Sequence, residues 1–229
     1  MKLSIIIPCY NEKGTILECL QRVVSVDLGA VEKEIIIVDD SSIDGTREIL
    51  QGIDHGLAKI IFHSNNSGKG LAIRNALNYV TGDVVIIQDA DLEYDPNDYR
   101  KLLKVINDGH ASVVYGSRRL NKANQWSYIS SAFGGILLSI LTNLLYRSKI
   151  TDEPTCYKMF KTEVIKGIKL ECIGFEFCPE ITAKILKRGI DIKEVPISYM
   201  PRHIEEGKKI NWRDGLVAIK TLIKYRFKD

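Results

Sequence analysis

Long apolar runs are missing from this sequence. It has no stretch of 18 or more consecutive apolar residues, so no segment is typical of a transmembrane helix. The residues after Met1 also lack the pattern of a signal peptide. The five cysteines form no Cys-x-x-Cys pair and are odd in number, which argues against a zinc motif or a disulfide framework. We therefore expect a cytoplasmic protein with reduced thiols.

A large net charge is missing as well. The 32 Lys and Arg residues nearly balance the 29 Asp and Glu residues, and a formal charge of +3 is too small to indicate a nucleic-acid partner. The basic surplus is local, since residues 201–229 contain eight Lys and Arg against four Asp and Glu. With 45% hydrophobic residues and a mean hydropathy near zero, the composition is typical of a globular protein with a sizeable core.

Four short apolar runs, rich in β-branched residues, alternate with segments of helical periodicity. The runs lie at residues 3–8, 34–40, 58–62 and 84–87. Their alternation with helices predicts an α/β fold with a mostly parallel sheet and right-handed crossovers. Further on, we expect helices at 97–107, 180–188 and Trp212–Phe227, and extended segments at 111–115, 157–160 and 190–199.

Acidic side chains follow the second and fourth predicted strands. Asp39 and Asp40 end the second, and Asp89, Asp91 and Glu93 follow the fourth. The carboxyl ends of parallel strands meet at one edge of a sheet, where ligands bind. Clustered carboxylates repel one another unless protons or a cation neutralise them, and Mg²⁺ or Mn²⁺ would also hold a phosphate. A solvated acidic turn is the alternative, because Asp-x-Asp alone is a weak signal.

Several ordered motifs together resemble glycosyltransferase family 2, whose members have the GT-A fold. They are residues 4–12 (Ser-Ile-Ile-Ile-Pro-Cys-Tyr-Asn-Glu), residues 38–46 (Val-Asp-Asp-Ser-Ser-x-Asp-Gly-Thr) and Asp89-Ala90-Asp91. A second set is similar to the polyprenyl-phosphate sugar transferases, the dolichol-phosphate mannosyltransferase branch: Asn66-Ser67-Gly68-Lys69-Gly70, Gly116-Ser117-Arg118, Arg202 and Lys208-Lys209. The resemblance implies one Rossmann-like GT-A domain over residues 1–210, followed by a basic amphipathic helix over 211–229.

The resemblance also assigns roles to residues. It implies a Mg²⁺ or Mn²⁺ ion held by Asp89, Asp91 and Glu93, although the family often has Gln where this chain has Glu93. It implies catalytic roles for Asp91, Arg118 and Arg202. The nucleotide-sugar would be bound by Pro8, Tyr10, Glu12, Ile37, Asp39, Asp89, Ala90, Asp91, Arg118, Arg202 and Lys208. Turn capping is the alternative for Asp39, and an ordinary surface cation is the alternative for each basic residue.

The implied reaction is inverting transfer of a hexose from a nucleotide-sugar, of the GDP-mannose or UDP-glucose type, to a dolichyl or undecaprenyl phosphate. Fixed cations would offset the repulsion between the two phosphate-bearing substrates. The alternative is a family 2 enzyme with a hydroxyl acceptor, in polysaccharide or glycolipid assembly. A sugar nucleotidyltransferase is disfavoured because no Gly-rich, basic N-terminal loop is present, and the intact acidic motif argues against a non-catalytic binding module.

Four further residues have roles that the sequence leaves open. Lys69 lies between two glycines before a helix, so it would either bind an anion or merely mark the start of the helix. A hydroxyl acceptor needs a general base, for which Glu180 or Asp152 is the candidate, whereas a phosphate acceptor needs none. We expect His203, in a basic loop, to be solvated rather than to bind a metal.

Two segments bear on membrane association. Residues 123–146 carry no charge, and the C-terminal helix has one apolar stripe, of Trp212, Leu216, Ile219, Ile223 and Phe227, and one basic stripe, of Lys220, Lys224 and Lys228. They are either a core helix and a surface helix or, given a lipid substrate, a surface that binds the inner face of the cell membrane. A homo-oligomer interface is the rival interpretation of the apolar residues.

Overall fold

A seven-stranded β-sheet organises the chain in the computed structural model, which describes residues 1–124, 129–202, 209 and 211–228 and, for residues 129–132, the backbone alone. The strands are β1 (Lys2–Cys9), β2 (Glu32–Asp39), β3 (Lys59–Phe62), β4 (Val84–Ile87), β5 (Val113–Ser117), β6 (Lys158–Lys161) and β7 (Ile192–Pro196). Their order across the sheet is β3-β2-β1-β4-β6-β5-β7. Only β6 runs antiparallel to its neighbours among these strands, so the prediction of a mostly parallel sheet is confirmed.

The central strands are buried on both faces, which explains their unbroken apolar runs. Ile5 and Ile7 of β1 pack into one hydrophobic cluster together with residues of β2, β4 and the helix that follows β1. Ile6 points to the opposite face and joins a second cluster with Ile36 and Val38 of β2. Because successive side chains alternate between the faces, the sheet lies between two helical layers.

Eight α-helices flank the sheet in the part of the chain that the structure describes. They are α1 (Ile16–Ser25), α2 (Thr46–Gln51), α3 (Lys69–Ala76), α4 (Tyr99–Asn107), α5 (Ile129–Tyr146), α6 (Thr162–Lys166), α7 (Phe177–Lys187) and α8 (Trp212–Phe227). A 3₁₀ turn at Pro96–Asp98 precedes α4, where the sequence predicts the start of the helix itself. The short helix α6 was not predicted.

Helix α7 begins three residues before the predicted start at 180. Pro179 lies in the first turn of α7, where the missing N–H is not needed by the helix. Helices α5, α7 and α8 pack together through Ala183, Leu222 and Tyr225, with leucines of α5 around them.

Helix α8 has the predicted bounds but buries a different face. Its predicted apolar stripe is largely exposed, with Trp212 73% and Phe227 82% accessible. The buried residues are Ala218, Thr221, Leu222 and Tyr225. Helix α8 is therefore a surface helix, and its smaller, mixed face packs against α5 and α7.

Helix α5 is also unusually exposed for an uncharged helix. Its apolar side chains with at least a third of their surface accessible are Phe133, Ile136, Leu137, Ile140 and Leu144. Within the described ranges, no helix combines the length and apolar character needed to cross a bilayer.

Candidate active site at the carboxyl edge of the sheet

The sheet order brings the acidic segments together. Strand β1 pairs in parallel with β2 on one side and β4 on the other, so the loops after all three strands lie at one edge. This edge carries Glu12 after β1, Asp39 and Asp40 at the end of β2, and the Asp89–Glu93 segment after β4. The predicted shared edge is therefore present.

One cavity of about 790 Å³ extends from this edge to the helical layer. Its polar end is lined by Pro8, Tyr10, Glu12, Lys69, Asp89, Ala90, Asp91, Glu93, Arg118, Arg202 and Lys209. Its other end lies between α5 and α8, where the lining residues are mostly apolar: Gly134, Gly135, Leu137, Leu138, Trp212, Leu216, Ala218 and Ile219. The cavity thus joins a charged site to an apolar groove.

Basic side chains contact the predicted acidic ligands. Arg202 Nη2 lies 3.2 Å from Asp91 Oδ2, and Arg202 Nη1 lies 3.1 Å from Glu12 Oε2. Lys209 Nζ lies 2.6 Å from Glu12 Oε1. The predicted site residues Glu12, Asp91 and Arg202 are thus brought into direct contact.

The crowding of carboxylates alters their acidity. Burial, with the charges of Asp89 and Glu93, raises the pKa of Asp91 to about 7, although Arg202 opposes the shift. Burial also disfavours ionisation of Asp89, but the adjacent Lys69 ammonium outweighs it and lowers the pKa of Asp89. The basic residues therefore do not fully offset the negative charge around Asp91. A bound cation would offset the remainder.

Glu93 is held by hydrogen bonds from the segment that follows β7. Its Oε1 accepts a hydrogen bond from the backbone N–H of Arg202 (2.8 Å), and its Oε2 accepts one from the Tyr199 hydroxyl (3.1 Å). Among the residues with described positions, no three or more His, Cys, Asp or Glu side chains converge in a metal-binding geometry. Asp89, Asp91 and Glu93 lie on one loop, and each contacts a neighbouring cation or hydroxyl.

Arg118 forms a buried, bidentate pair with Asp152. Its Nε and Nη2 donate to the two Asp152 oxygens at 2.7 and 2.8 Å, and its backbone N–H donates at 2.9 Å. Burial opposes ionisation of both groups, but each charge stabilises the other, so the pKa of Arg118 is raised and that of Asp152 is lowered. Asp152 is therefore a fixed anion that orients Arg118 at the cavity wall, and it is poorly suited to accept a proton.

Lys69 is a site residue for which the sequence left two interpretations open. Its ammonium group forms an ion pair with Asp89 and lies 3.1 Å from Cys156 Sγ, with about 15% of the side chain accessible. The contact spans 20 residues of sequence, so local pattern could not reveal it. The glycines beside Lys69 were the available signal.

Asp39 and Ile37 do not line the cavity. Asp39 is fully buried, its Oδ1 accepts from Ser42 N at 3.2 Å, and its Oδ2 has no hydrogen-bond donor among the described residues. Arg47 Nε, which the sequence did not single out, lies 3.7 Å from Asp39 Oδ2. Ile37 is a fully buried core residue, and the side chain that faces the cavity here is Asp40.

Glu180, a candidate base, points away from the site. Its Oε1 accepts from Glu171 N at 2.7 Å and pairs with Lys184. Two other predicted positions, His203 and Lys208, lie outside the described residues.

Comparisons with known proteins agree with this geometry. The model of the family described as "Glycosyl transferase family 2" matches residues 4–168. The chain is 29% identical to the low-salt glycan biosynthesis hexosyltransferase Agl6 of Haloferax volcanii over 96% of this chain and 53% of that protein. It is 30% identical to a dolichol-phosphate mannosyltransferase of Pyrococcus furiosus over 91% of this chain and 59% of that protein. The chain thus spans little more than half the length of these two relatives.

A solved structure of similar fold is glucosyl-3-phosphoglycerate synthase from Mycobacterium tuberculosis, in complex with Mn²⁺, uridine diphosphate and phosphoglyceric acid. It superposes with a TM-score of 0.75 over 99% of this chain and 78% of that one, at 19% identity. The likeness confirms the predicted GT-A fold. Because the family model covers well over half of the sequence, the chain belongs to glycosyl transferase family 2.

Proposed function

We propose that this protein transfers a hexose from a nucleotide-sugar to a polyprenyl phosphate with inversion at the anomeric carbon. The observation that carries the proposal is the single cavity that joins a charged edge to an apolar groove between α5 and α8. A lipid phosphate has the same two parts, a dianionic head and an apolar chain. The name of the Pyrococcus furiosus relative, a dolichol-phosphate mannosyltransferase, supports the same class of acceptor.

A divalent metal fits the acidic edge. Asp89, Asp91 and Glu93 supply only oxygen donors, and the raised pKa of Asp91 results from burial and from the two neighbouring carboxylates. These three residues would hold Mg²⁺ or Mn²⁺, with Lys69 and Arg202 released from Asp89 and Asp91. When bound, the ion would act as a Lewis acid that stabilises the departing diphosphate.

The protein's own cations and loops would orient the two substrates. Arg118 and Arg202 present guanidinium groups at the cavity wall, which suits them to phosphate oxygens. Tyr10 and Glu12 line the same end and would contact the nucleotide-sugar. A phosphate acceptor is already an oxyanion near neutral pH, so the transfer needs no general base.

Exposed apolar residues next to the groove support action at a lipid surface. Helix α5 exposes Phe133, Ile140 and Leu144, and helix α8 exposes Trp212 and Phe227. The basic residues of α8 would add about 1 kcal/mol each on an anionic membrane. We propose peripheral binding at the inner face of the cell membrane. A second copy of the chain is the rival occupant of these residues.

The direct test incubates the purified protein with a short-chain polyprenyl phosphate, Mg²⁺ or Mn²⁺ and a panel of labelled nucleotide-sugars. We expect an organic-soluble labelled product with one donor, and none with an Asp91→Asn variant. A nucleotide-sugar panel that gives no lipid-linked product would overturn the proposal.

A hydroxyl acceptor is the second candidate, and Glu153 is the observation that favours it. Glu153 lines the cavity, is fully buried, and neither carboxylate oxygen has a hydrogen-bond partner among the described residues. Burial raises its pKa, although Lys158 opposes the shift, so it would be a general base held in the cavity wall. A Glu153→Gln variant that folds but loses turnover would favour the hydroxyl acceptor, whereas near-normal turnover would favour the phosphate.

A further inference from the structure

The loop that carries Lys69 is fixed by one buried carboxylate. Asp40 Oδ1 accepts hydrogen bonds from His63 Nδ1 (2.7 Å) and from the backbone N–H of Ser67 (2.9 Å). Asp40 Oδ2 accepts from the backbone N–H of Gly68 at 2.7 Å. Asp40 is only 3% accessible. Its hydrogen-bonding capacity is therefore directed at the loop before α3.

His63 is fixed in turn by Asn75 of α3. Asn75 Nδ2 lies 2.9 Å from His63 Nε2, and an amide nitrogen can only donate. His63 Nε2 must accept this bond, so Nδ1 carries the proton that is donated to Asp40. The imidazole thus links the end of β3, the body of α3 and the Asp40 carboxylate.

The opposite side of the loop is closed by backbone. Gly68 has φ +89°, and a Cβ at this position would lie 2.5 Å from the carbonyl oxygen of Ile173. A Cβ at Gly70 would lie 2.8 Å from the carbonyl oxygen of Gly174. The loop is therefore held between Asp40 and the 173–174 backbone, with no room for a side chain at either glycine.

This double restraint determines where Lys69 points. Lys69 lies between the two confined glycines, as the first residue of α3, and its ammonium group reaches Asp89 in the cavity. A lysine side chain has four rotatable bonds and loses rotamer entropy when it is fixed, so a rigid backbone at Lys69 helps to place the ammonium group.

We propose that Asp40 and His63 are positioning residues that act through the 66–70 loop to hold Lys69 in the cavity, where its ammonium group, released from Asp89 when a metal binds, contacts the donor diphosphate. The inference rests on the proposed nucleotide-sugar donor. It requires no direct contact of Asp40 with substrate, because both of its oxygens are already engaged by the loop and His63.

The test measures the dissociation constants of UDP and GDP, with Mn²⁺, by calorimetry. Removal of a charge-assisted hydrogen bond predicts that Asp40→Asn weakens nucleotide binding about tenfold. Lys69→Met should weaken it similarly, and Asp40→Asn should add nothing in the Lys69→Met background. His63→Ala, which removes one of the three bonds to Asp40, should give a smaller loss that also disappears in that background.

Glu34→Gln is the matched control. Like Asp40, Glu34 accepts several hydrogen bonds, from Ser4 and Thr81, but it lies on β2 at the end of the strand away from the cavity. The Glu34→Gln substitution should lower the melting temperature and leave the nucleotide affinity unchanged.

The outcomes separate the two proposals. The positioning role is overturned if Asp40→Asn affects affinity no more than Glu34→Gln, or if it weakens the Lys69→Met variant by the same factor as the wild type. A wild-type protein that binds neither nucleotide would overturn the donor itself, and the positioning role with it.

Discussion

Arg202 forms ion pairs with Glu12 and Asp91, and a metal ion would compete with it for Asp91. Its guanidinium bridges Glu12 and Asp91, 3.1 and 3.2 Å away, while its backbone N–H contacts Glu93. The residue therefore serves as an internal counterion of the acidic edge. If Asp91 binds the proposed metal ion, the ion would compete with this contact and would free the guanidinium for a phosphate.

We expect Arg202→Gln to bind Mn²⁺ more tightly but to turn over more slowly. A unit charge near 4 Å is worth about 1 kcal/mol even at the dielectric of water, so the gain in affinity should be about fivefold or more. Calorimetry with MnCl₂ measures it. Arg118→Gln is the control, because Arg118 pairs with Asp152 and its loss should leave Mn²⁺ affinity unchanged. Weaker Mn²⁺ binding by Arg202→Gln would contradict the counterion role.

Glu34 predicts a pH dependence of stability. Burial opposes its ionisation, but hydrogen bonds from Ser4, Thr81 and Lys2 outweigh burial and lower its pKa to about 2, from an ordinary value of 4.5. A pKa lower in the folded than in the unfolded chain means that the ionised group stabilises the fold above about pH 4.5. This stabilisation is lost as the pH falls towards 2.

We therefore expect Glu34→Gln to lower the free energy of unfolding by about 1 kcal/mol at pH 7, with the difference shrinking below pH 4.5. Urea denaturation at pH 7 and pH 3 measures it. Glu32→Gln, at an exposed position of the same strand, should change little at either pH. An equal loss for Glu34→Gln at both values would rule out the ionised carboxylate as the cause.

Single residues also show the limit of local sequence patterns. The acidic residues after β2 and β4 could be predicted, because they directly follow apolar runs. The partners Lys69–Asp89, Arg47–Asp39 and Arg118–Asp152 could not, because each joins elements separated in sequence by between 8 and 34 positions. The glycines on either side of Lys69 were a signal for a site residue, but such glycines are equally common at ordinary helix starts.

At the scale of the element, α8 shows that a correct boundary does not identify the buried face. The capping box of Asn211 and Asp214 marks the helix start, and its bounds followed from the sequence. The sequence could not reveal that the smaller face, with Ala218 and Leu222, packs on α7 and leaves the large apolar side chains outside. Packing favours a face that fits closely, even where a more hydrophobic one exists.

The exposed stripe of α8 predicts lipid binding. Trp212 and Phe227 are 73% and 82% accessible, so replacing both with Ser should cost little stability while reducing binding to anionic phosphatidylglycerol vesicles several-fold. Co-sedimentation measures binding. Leu222→Ala is the control: because Leu222 is fully buried, this variant should lose about 2 to 4 kcal/mol of stability. Unchanged vesicle binding by the double variant would contradict a membrane role for this stripe.

At the scale of the whole molecule, the cavity has a charged end, where we propose that the nucleotide binds, and an apolar end, where we propose that the lipid binds. If the metal acts only at the acidic edge, chelation with EDTA should weaken UDP or GDP binding at least about tenfold and leave vesicle binding unchanged. Added Mn²⁺ should restore nucleotide affinity. Calorimetry and co-sedimentation on the same preparation measure both. Nucleotide binding that EDTA does not alter would contradict a metal at Asp89, Asp91 and Glu93.

The parallel part of the sheet was predictable because its strands are apolar on both faces. The antiparallel orientation of β6 was not, since a four-residue strand carries no directional signal. The same limit applies to the cavity as a whole. Its polar end follows from motifs, whereas the groove depends on how α5 and α8 pack.

The reversed strand β6 has a consequence for how the chain folds during synthesis. β6 pairs with both β4 and β5, so β4 keeps an open side until Lys158–Lys161 has left the ribosome. The first four strands, β1 to β4, are complete some 70 residues earlier. For that interval a nascent chain presents an unpaired, apolar strand edge, which is prone to intermolecular pairing. Fragments that end between β4 and β6 should aggregate, whereas fragments that include β6 close the sheet at this point.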